Sequence, residues 1–321
     1  MELHIRNHHT AERPPAPAPP AADATPARRP VRLARGLVRT ARPRQWLKNV
    51  LVFAAPGAAG VLTEADSFVR ASAAFALFCL AASGAYFLND ALDYEADRTH
   101  EKKRHRPIAA GIVPVGLAHV VGVSLLCIAV GGAVLLGGGR MAAVIAVYVG
   151  LTLAYSFYLK HEPVIDIAAV AAGFVIRAVA GAIAVDVPVS NWFLIVASFG
   201  SLFMVAGKRH AEFHELGEDR GRHRATLAMY SAEYLRYVRS TSSAITIAAY
   251  CLWAFEKADV AAGPLWFQLS ILPFVLSILR YALLLDMGQG GAPEEVVLGD
   301  RVLQILGACW LAVFVVGVHA G

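Results

Sequence analysis

A row of polar side chains at the end of the second apolar run is the first feature with residue types and spacing suited to chemistry. Asn89, Asp93 and Asp97 recur every four residues, and Tyr86 precedes the row by three. On a helix this spacing stacks the side chains along one face. Oxygen ligands without His or Cys suit Mg²⁺, which keeps several waters and bridges to substrate phosphates. The row therefore predicts Mg²⁺ on Asn89, Asp93 and Asp97; a solvated helix end is the alternative.

Basic side chains in three other segments have the chemistry to hold an anionic substrate, as Arg and Lys do for phosphates. Lys103 follows the row in a basic loop, whereas Lys160 and His161 occupy a short loop further along the chain. Lys48 and Asn49 lie deeper, inside the first apolar run, where an unpaired charge is costly and a partner is expected. For the loop cations, the alternative is that they serve only membrane topology.

Two further segments carry charge at or inside apolar runs. Arg177 lies within the fifth run, and an ionisable residue inside a membrane is a functional-site hypothesis by default. Its alternative is a structural pairing with a carboxylate. The segment Gly207-Lys-Arg-His-Ala-Glu212 leaves the sixth run and is a candidate second wall of the same site. Its carboxylates and histidines are interleaved with bases, so we expect no zinc there.

The elements that must position these residues are apolar helices. The chain has 321 residues, of which 57% are hydrophobic and 17% charged. Soluble domains average about 25% charged residues, so soluble, disordered and fibrous classes fit poorly. Nine apolar runs approach the ~20 residues that a helix needs to cross a bilayer. They predict an all-α, polytopic membrane protein with nine transmembrane helices, at about 47–63, 68–90, 112–136, 141–158, 163–185, 190–207, 240–256, 264–285 and 302–320.

The distribution of basic residues predicts the orientation. With nine crossings, 25 of the 29 Lys and Arg residues fall on the side of the N-terminus, which the positive-inside rule places in the cytoplasm. Residues 1–40 form a Pro- and Arg-rich tail for which we predict disorder, and residues 41–321 form the membrane domain. Most of the net charge of +5 belongs to the tail. We therefore expect no nucleic-acid partner.

These motifs resemble the UbiA family of intramembrane prenyltransferases. The match is Asn89-Asp90-x-x-Asp93-x-x-x-Asp97 at the end of the second of nine helices, followed by Arg106-Pro107. The resemblance implies helices around a central cavity and Mg²⁺-diphosphate held on two Asp-rich motifs. Gly207-Lys-Arg-His-Ala-Glu212 replaces the second motif, and this departure argues against ordinary prenyl-diphosphate transfer.

Four segments resemble a branch of the family with a different donor: 42–49, 155–162, 173–181 and 207–212. This resemblance implies transfer of 5-phosphoribose from phosphoribosyl diphosphate (PRPP) to a polyprenyl (decaprenyl) phosphate, with release of diphosphate. The reaction would be an early step toward the arabinan of arabinogalactan cell walls, in the plasma membrane with the active site facing the cytoplasm.

The same resemblance implies the following roles. Asn89 and Asp93, with Asp97 or Asp90 less firmly, hold Mg²⁺ on the diphosphate. Tyr86 and Lys103 contact the donor, whereas Lys48, Lys160 and His161 bind its phosphates. Arg177 holds the acceptor phosphate. Asp93, Asn89 and Lys48 are the expected catalytic residues.

Three alternatives stay open at this point. A UbiA-type prenyltransferase would use a prenyl diphosphate and an aromatic or other acceptor, and it would require the second Asp-rich motif. A transporter would be expected to have inverted repeats and charges at the bilayer midplane. A membrane anchor would use the basic tail to hold a soluble partner. The sequence also leaves open whether the protein is a homo-oligomer.

Overall fold

The fold is helical throughout the part of the chain that the structure describes. A computed structural model describes residues 28–216, 225–260, 264–289 and 293–319, and every regular element in these ranges is a helix. The α-helices are α1 (Arg28–Ala41), α2 (Ala54–Ala58), α3 (Ala65–Leu92), α4 (Tyr94–Thr99), α5 (Val115–Phe157), α6 (Ile165–Val185), α7 (Asn191–Leu216), α8 (Ala225–Met229), α9 (Ala232–Val260), α10 (Pro264–Asp286), α11 (Pro293–Gly299) and α12 (Arg301–His319). The predicted all-α class is confirmed.

Six of the described helices, α3, α5, α6, α7, α10 and α12, are long and apolar enough to cross a membrane. Helix α5 covers two predicted runs, with non-helical backbone at Gly137 and Gly138 between them. The first predicted run is divided between a 3-10 helix, Pro43–Phe53, and α2. The run 240–256 lies in α9, which is not among the six. The chain is a multi-pass membrane protein, and the count of nine crossings stays a prediction.

Helix α1 corrects the predicted extent of the disordered tail. Residues 28–40 were expected to be disordered, but they are helical, and residues 1–27 lie outside the described part. Leu33, Leu37 and Ala41 recur every four residues and pack against a core that includes Phe87 and Ile108. This apolar stripe anchors the helix in spite of its arginines, because burying one face is enough to stabilise an amphipathic helix.

Close packing between α3 and α5 depends on paired glycines. A Cβ atom at Gly84 would lie 2.9 Å from the carbonyl oxygen of Gly122. Small residues of this kind let membrane helices approach closely. The approach also brings the end of α3, with Asn89, against Ser156 near the end of α5.

A second close contact seats the 3-10 helix on α6. A Cβ atom at Gly181 would lie 1.7 Å from the carbonyl oxygen of Val52, so only glycine leaves room for the backbone there. Arg177 lies one turn before Gly181 and therefore on the same face of α6. This seating brings Asn49 of the 3-10 helix to Arg177.

Candidate functional site

Arg177 is a buried cation held by neutral groups. Its Nε donates to Asn49 Oδ1 at 2.7 Å, Nη1 donates to the Gly173 carbonyl at 2.6 Å, and Nη2 donates to Tyr148 Oη at 2.8 Å. Among the described residues, Arg177 thus pairs with an amide, a carbonyl and a phenol, and none of its bonds goes to the carboxylate of the structural alternative. These three partners are neutral, so none of them compensates the positive charge of Arg177.

Aromatic rings complete the surroundings of this cation. The guanidinium carbon of Arg177 lies 4.6 Å from the ring centroid of Tyr148, 5.7 Å from that of Phe174 and 6.0 Å from that of Phe78. Arg177 is only 8% exposed. Attraction between charges is stronger in such low-dielectric surroundings than in water. An anionic group that reached this point would therefore be bound firmly.

Asn89 presents an unsatisfied oxygen on the neighbouring side of the bundle. Its Nδ2 donates to Ser156 Oγ at 2.8 Å, which fixes the orientation of the amide. Its Oδ1 is buried and accepts no hydrogen bond from the described residues. An orphaned buried acceptor costs about 1–3 kcal/mol, so this atom calls for a ligand. Asp93, one turn later, is exposed at the junction of α3 and α4.

The third member of the predicted metal row, Asp97, lies in a different environment. The row was expected on one continuous helix, but α3 ends at Leu92 and Asp97 belongs to α4. Asp97 Oδ2 accepts a bond from Arg106 Nη1 at 2.7 Å, and its residue is only 2% exposed. Asp97 is thus buried and held by Arg106, whereas Asp93 is exposed, so the members of the predicted row lie in different environments.

Asn89 and Asp93 fit a Mg²⁺ that is bound mainly through its substrate. Within the described ranges, no group of three or more His, Cys, Asp or Glu side chains has the geometry of a metal site. A complete set of protein ligands is not required, because Mg²⁺ is commonly coordinated by one or two carboxylates together with waters and substrate phosphates. The orphaned Asn89 oxygen and the exposed Asp93 carboxylate supply that kind of incomplete ligand set.

Helix α5 joins the Arg177 and Asn89 environments. Tyr148 contacts Arg177 and Ser156 contacts Asn89. These α5 residues are eight positions apart, which places them on one face and about 12 Å apart along the helix axis. The buried cation and the candidate metal ligand Asn89 thus border one face of α5.

The remaining predicted residues lie on the loops and helix ends. Lys48 is half-buried in the 3-10 helix, and Lys103 is half-buried in the loop after α4. Lys160 is half-buried and His161 is exposed in the turn between α5 and α6. Tyr86 on α3 lies beneath the guanidinium of Arg42, at 4.4 Å from carbon to ring centroid, and also borders the core of Phe78 and Tyr148. All five remain proposals as donor contacts.

The segment 207–212, predicted to border the site as a second wall, contributes Arg209 and Glu212 to a buried polar network. Asp166 is fully buried, accepts from Tyr230 Oη at 2.5 Å and Thr226 Oγ1 at 3.1 Å, and lies 3.5 Å from Arg209 Nε. Arg209 also donates to Glu212 at 2.8 Å. Burial raises the pKa of the Tyr230 phenol, and its bond to Asp166 acts in the same direction. The network fixes the start of α6, next to the turn that carries Lys160 and His161.

Sequence reasoning missed Tyr148 and Ser156, which orient Arg177 and Asn89. A signal was present, because Tyr148, Thr152 and Ser156 repeat every four residues within an apolar run. Such a polar stripe indicates one functional face of a helix. It was overlooked because hydroxyl groups in membrane helices also bond to their own backbone, as Thr152 and Ser156 do here.

The chain belongs to the UbiA prenyltransferase family, whose family model matches residues 50–317. Its fold is similar to that of a UbiA homologue from Archaeoglobus fulgidus bound to GPP and Mg²⁺, with a TM-score of 0.67, 17% identity and coverage of 88% of this chain and 99% of that one. A digeranylgeranylglyceryl phosphate synthase gives a TM-score of 0.64 at 14% identity, over 90% and 99% of the two chains.

More similar sequences carry a more specific name. A decaprenyl-phosphate phosphoribosyltransferase from Corynebacterium glutamicum is 46% identical over 295 residues, or 90% of this chain and 89% of that protein. The protein of the same name from Mycobacterium tuberculosis is 46% identical over 287 residues, or 88% and 94%. The one from Mycolicibacterium smegmatis is 45% identical over 296 residues, or 88% and 92%. The UbiA resemblance inferred from the motifs is confirmed.

Proposed function

We propose that this chain transfers 5-phosphoribose from PRPP to decaprenyl phosphate at the cytoplasmic face of the plasma membrane, as an early step of arabinan precursor synthesis. The observation that carries the proposal is 46% identity, over about nine-tenths of the chain, to relatives named for this reaction. The charge asymmetry of the loops supports the cytoplasmic orientation.

The donor diphosphate would bind at the end of α3. Asn89 and Asp93 are the proposed Mg²⁺ ligands, and Asp97 is left out because Arg106 holds it. Mg²⁺, when bound, neutralises charge on the departing diphosphate. Lys48, Lys160 and His161 bind the phosphates of PRPP, and Tyr86 and Lys103 contact the donor.

The acceptor phosphate would bind at Arg177. An apolar cavity of about 500 Å³ lies between α5, α6 and α7, and its lining includes Val175 and Ile176, the residues just before Arg177. We assign this cavity to isoprenoid units of the acceptor, because a lipid chain requires an apolar wall beside a cation for its phosphate. This arrangement would direct the phosphate toward the face of α5 that also borders Asn89.

The proposed reaction is a single displacement at C1 of the ribose. A phosphate oxygen of the acceptor forms a bond to C1 while the bond from C1 to the diphosphate oxygen breaks, and the diphosphate leaves with the electron pair. The acceptor is already an anion at neutral pH, so no strong general base is needed. The rate enhancement then arises from positioning and from charges arranged in advance by Arg177 and the basic loops.

Purified protein tests this proposal with isotope-labelled PRPP, Mg²⁺ and decaprenyl phosphate. We expect label to pass into the organic phase, and we expect Asp93→Ala to lower this transfer at least a hundredfold. Glu95→Ala is the matched control, because Glu95 is an exposed carboxylate two residues further along. The proposal is wrong if the wild type transfers no label, or if Asp93→Ala transfers as much as Glu95→Ala.

A further inference from the structure

The turn between α5 and α6 ends in a strained backbone at Val164. This residue has a φ of 69° and a ψ of −48°, and its side chain is 51% exposed. A positive φ is a genuine outlier for a β-branched residue. Strained backbone persists only where the surrounding structure imposes it. Because half of the Val164 side chain is exposed, the contact that holds this conformation has to come from another part of the chain.

A single hydroxyl group supplies that contact. Tyr230, which lies between α8 and α9, accepts a hydrogen bond from the Val164 N–H at 2.5 Å and donates one to Asp166 Oδ1 at 2.5 Å. The phenol oxygen therefore bridges the residue that precedes α6 and the second residue of that helix. Backbone N–H groups at the start of a helix have no partner within the helix. The bridge thus satisfies one such group and holds the strained residue at the same time.

The groups on the far side of the bridge are themselves fixed. Asp166 is fully buried, Thr226 Oγ1 donates to its Oδ2 at 3.1 Å, and Arg209 Nε lies 3.5 Å from the same oxygen. The ring of Tyr230 is stacked on that of Tyr234, with 5.6 Å between centroids and 4° between planes. A group held in advance loses little further freedom when it orients another. The position of the Tyr230 hydroxyl is therefore set before any substrate binds.

The turn that the bridge holds carries two of the proposed donor contacts. Lys160 and His161 belong to a short 3-10 turn, Leu159–His161, and His161 lies three residues before Val164. Pro163 has no N–H to donate and restricts Glu162 to extended backbone. Rotation of the backbone at Val164 would displace the two basic side chains relative to α6. A displacement of about 1 Å is enough to impair a binding or catalytic group.

We propose that Tyr230 is a positioning residue for the donor site, whose hydroxyl holds the turn 158–164 in the strained conformation that presents Lys160 and His161 to the phosphates of PRPP. The inference rests on the proposed function, because it takes Lys160 and His161 as donor contacts. Tyr230 acts through the backbone of Val164 and is not a catalytic residue. It connects the chain that follows α7 to the donor side of the site.

Hydrogen–deuterium exchange in the full chain tests whether the hydroxyl holds the turn. Tyr230→Phe removes the hydroxyl and keeps the ring, and Tyr234→Phe is the matched control because it removes a hydroxyl from the ring stacked on Tyr230. Peptides that cover 158–168 are followed by mass spectrometry. We expect exchange there to be about tenfold faster in Tyr230→Phe, because the Val164 N–H loses its acceptor, and to change by less than about twofold in the control.

Steady-state transfer of label from PRPP tests the consequence for the donor. We expect Tyr230→Phe to raise the KM for PRPP about tenfold and to change kcat by less than about twofold, because donor binding weakens while the reacting atoms keep their partners. A purely structural role would lower the amount of active protein and leave the KM unchanged. Adding Val164→Gly to Tyr230→Phe should restore the KM to within about threefold of the wild type, since glycine adopts a positive φ without strain.

The two measurements separate this inference from the transfer reaction. The inference is overturned if exchange in the turn is unchanged in Tyr230→Phe or changes equally in the control. It is also overturned if an active Tyr230→Phe enzyme keeps the wild-type KM, or if the double variant is no better than Tyr230→Phe. A wild type that transfers no label refutes the proposed function, and the exchange measurement then still decides whether Tyr230 holds the turn.

Discussion

Replacing Gly181 by alanine tests how the 3-10 helix is held against α6. The added Cβ would lie 1.7 Å from the carbonyl oxygen of Val52, whereas carbon atoms in contact need about 3.5 Å. The obstacle is backbone, so no side-chain rotation relieves it. The two segments must separate by roughly 1–2 Å to restore a normal contact. That shift moves Asn49, three residues before Val52, away from Arg177.

The expected magnitude follows from the bond that this shift breaks. Asn49 Oδ1 accepts from Arg177 Nε at 2.7 Å, and a hydrogen bond to a charged group contributes about 1.5–3 kcal/mol to stability. A misplacement of about 1 Å can cost about a hundredfold in rate. We therefore expect Gly181→Ala to lower the free energy of unfolding by about 2 kcal/mol and to lower phosphoribosyl transfer about a hundredfold.

A double-mutant cycle in purified protein checks this mechanism. Gly181→Ala, Asn49→Ala and the double variant are compared by thermal unfolding and by transfer of label from PRPP. The double variant should be little worse than either single variant, because both remove the same bond. Gly150→Ala is the control, since a Cβ there meets open space. The reasoning is refuted if Gly181→Ala behaves like Gly150→Ala, or if the two effects add.

Three further predictions concern the groups around the site. Arg177→Lys should lower transfer about a hundredfold, because lysine lacks the planar guanidinium group that donates to three acceptors. Arg140→Lys, at an exposed ion pair, should leave transfer unchanged. Equal activities of the two variants would contradict this prediction. Ser156→Ala should raise the Mg²⁺ concentration for half-maximal activity about 10–100-fold, because it frees the Asn89 amide to rotate; an unchanged Mg²⁺ titration would count against this role. Folding raises the pKa of Tyr230, so the stability that its protonated phenol gives the folded protein is fully present below about pH 10, the pKa of an unfolded tyrosine. That stability is lost as the pH rises through the pKa that Tyr230 has in the folded protein. The difference in melting temperature between wild type and Tyr230→Phe should therefore shrink above pH 10, and a constant difference would be inconsistent with this assignment.

Much of the architecture could be predicted because membrane crossing imposes a composition that is visible in sequence. A spanning helix needs about 20 apolar residues, so the boundaries of α6 and α10 were predicted to within about two residues. Helix α1 was missed because the surrounding segment is rich in arginine and proline. Leu33 and Leu37 are too few in such a segment to reveal an apolar stripe by composition. The stripe matters only because a core formed by α3 and the loop after α4 is there to receive it.

The candidate site was predictable in residue type and less so in arrangement. Asn89 was identified by its spacing with Asp93, and Arg177 because an ionisable residue inside an apolar run is rare and requires a partner. The partners themselves, such as Tyr148, come from other helices, and no local pattern encodes that pairing. Asp97 shows the limit of periodicity: its spacing matched the row, but Arg106, from the loop after α4, pairs with it, and the spacing does not encode that contact.

The choice of donor is the central claim, and a dual-label experiment tests it most directly. The purified protein receives PRPP labelled with one isotope and a prenyl diphosphate labelled with another, together with decaprenyl phosphate, an aromatic acceptor and Mg²⁺. We predict that only the PRPP label joins a lipid product, with release of one diphosphate for each ribose transferred. Incorporation of the prenyl label into the aromatic acceptor, with PRPP left intact, would contradict the proposal and identify an ordinary prenyltransferase.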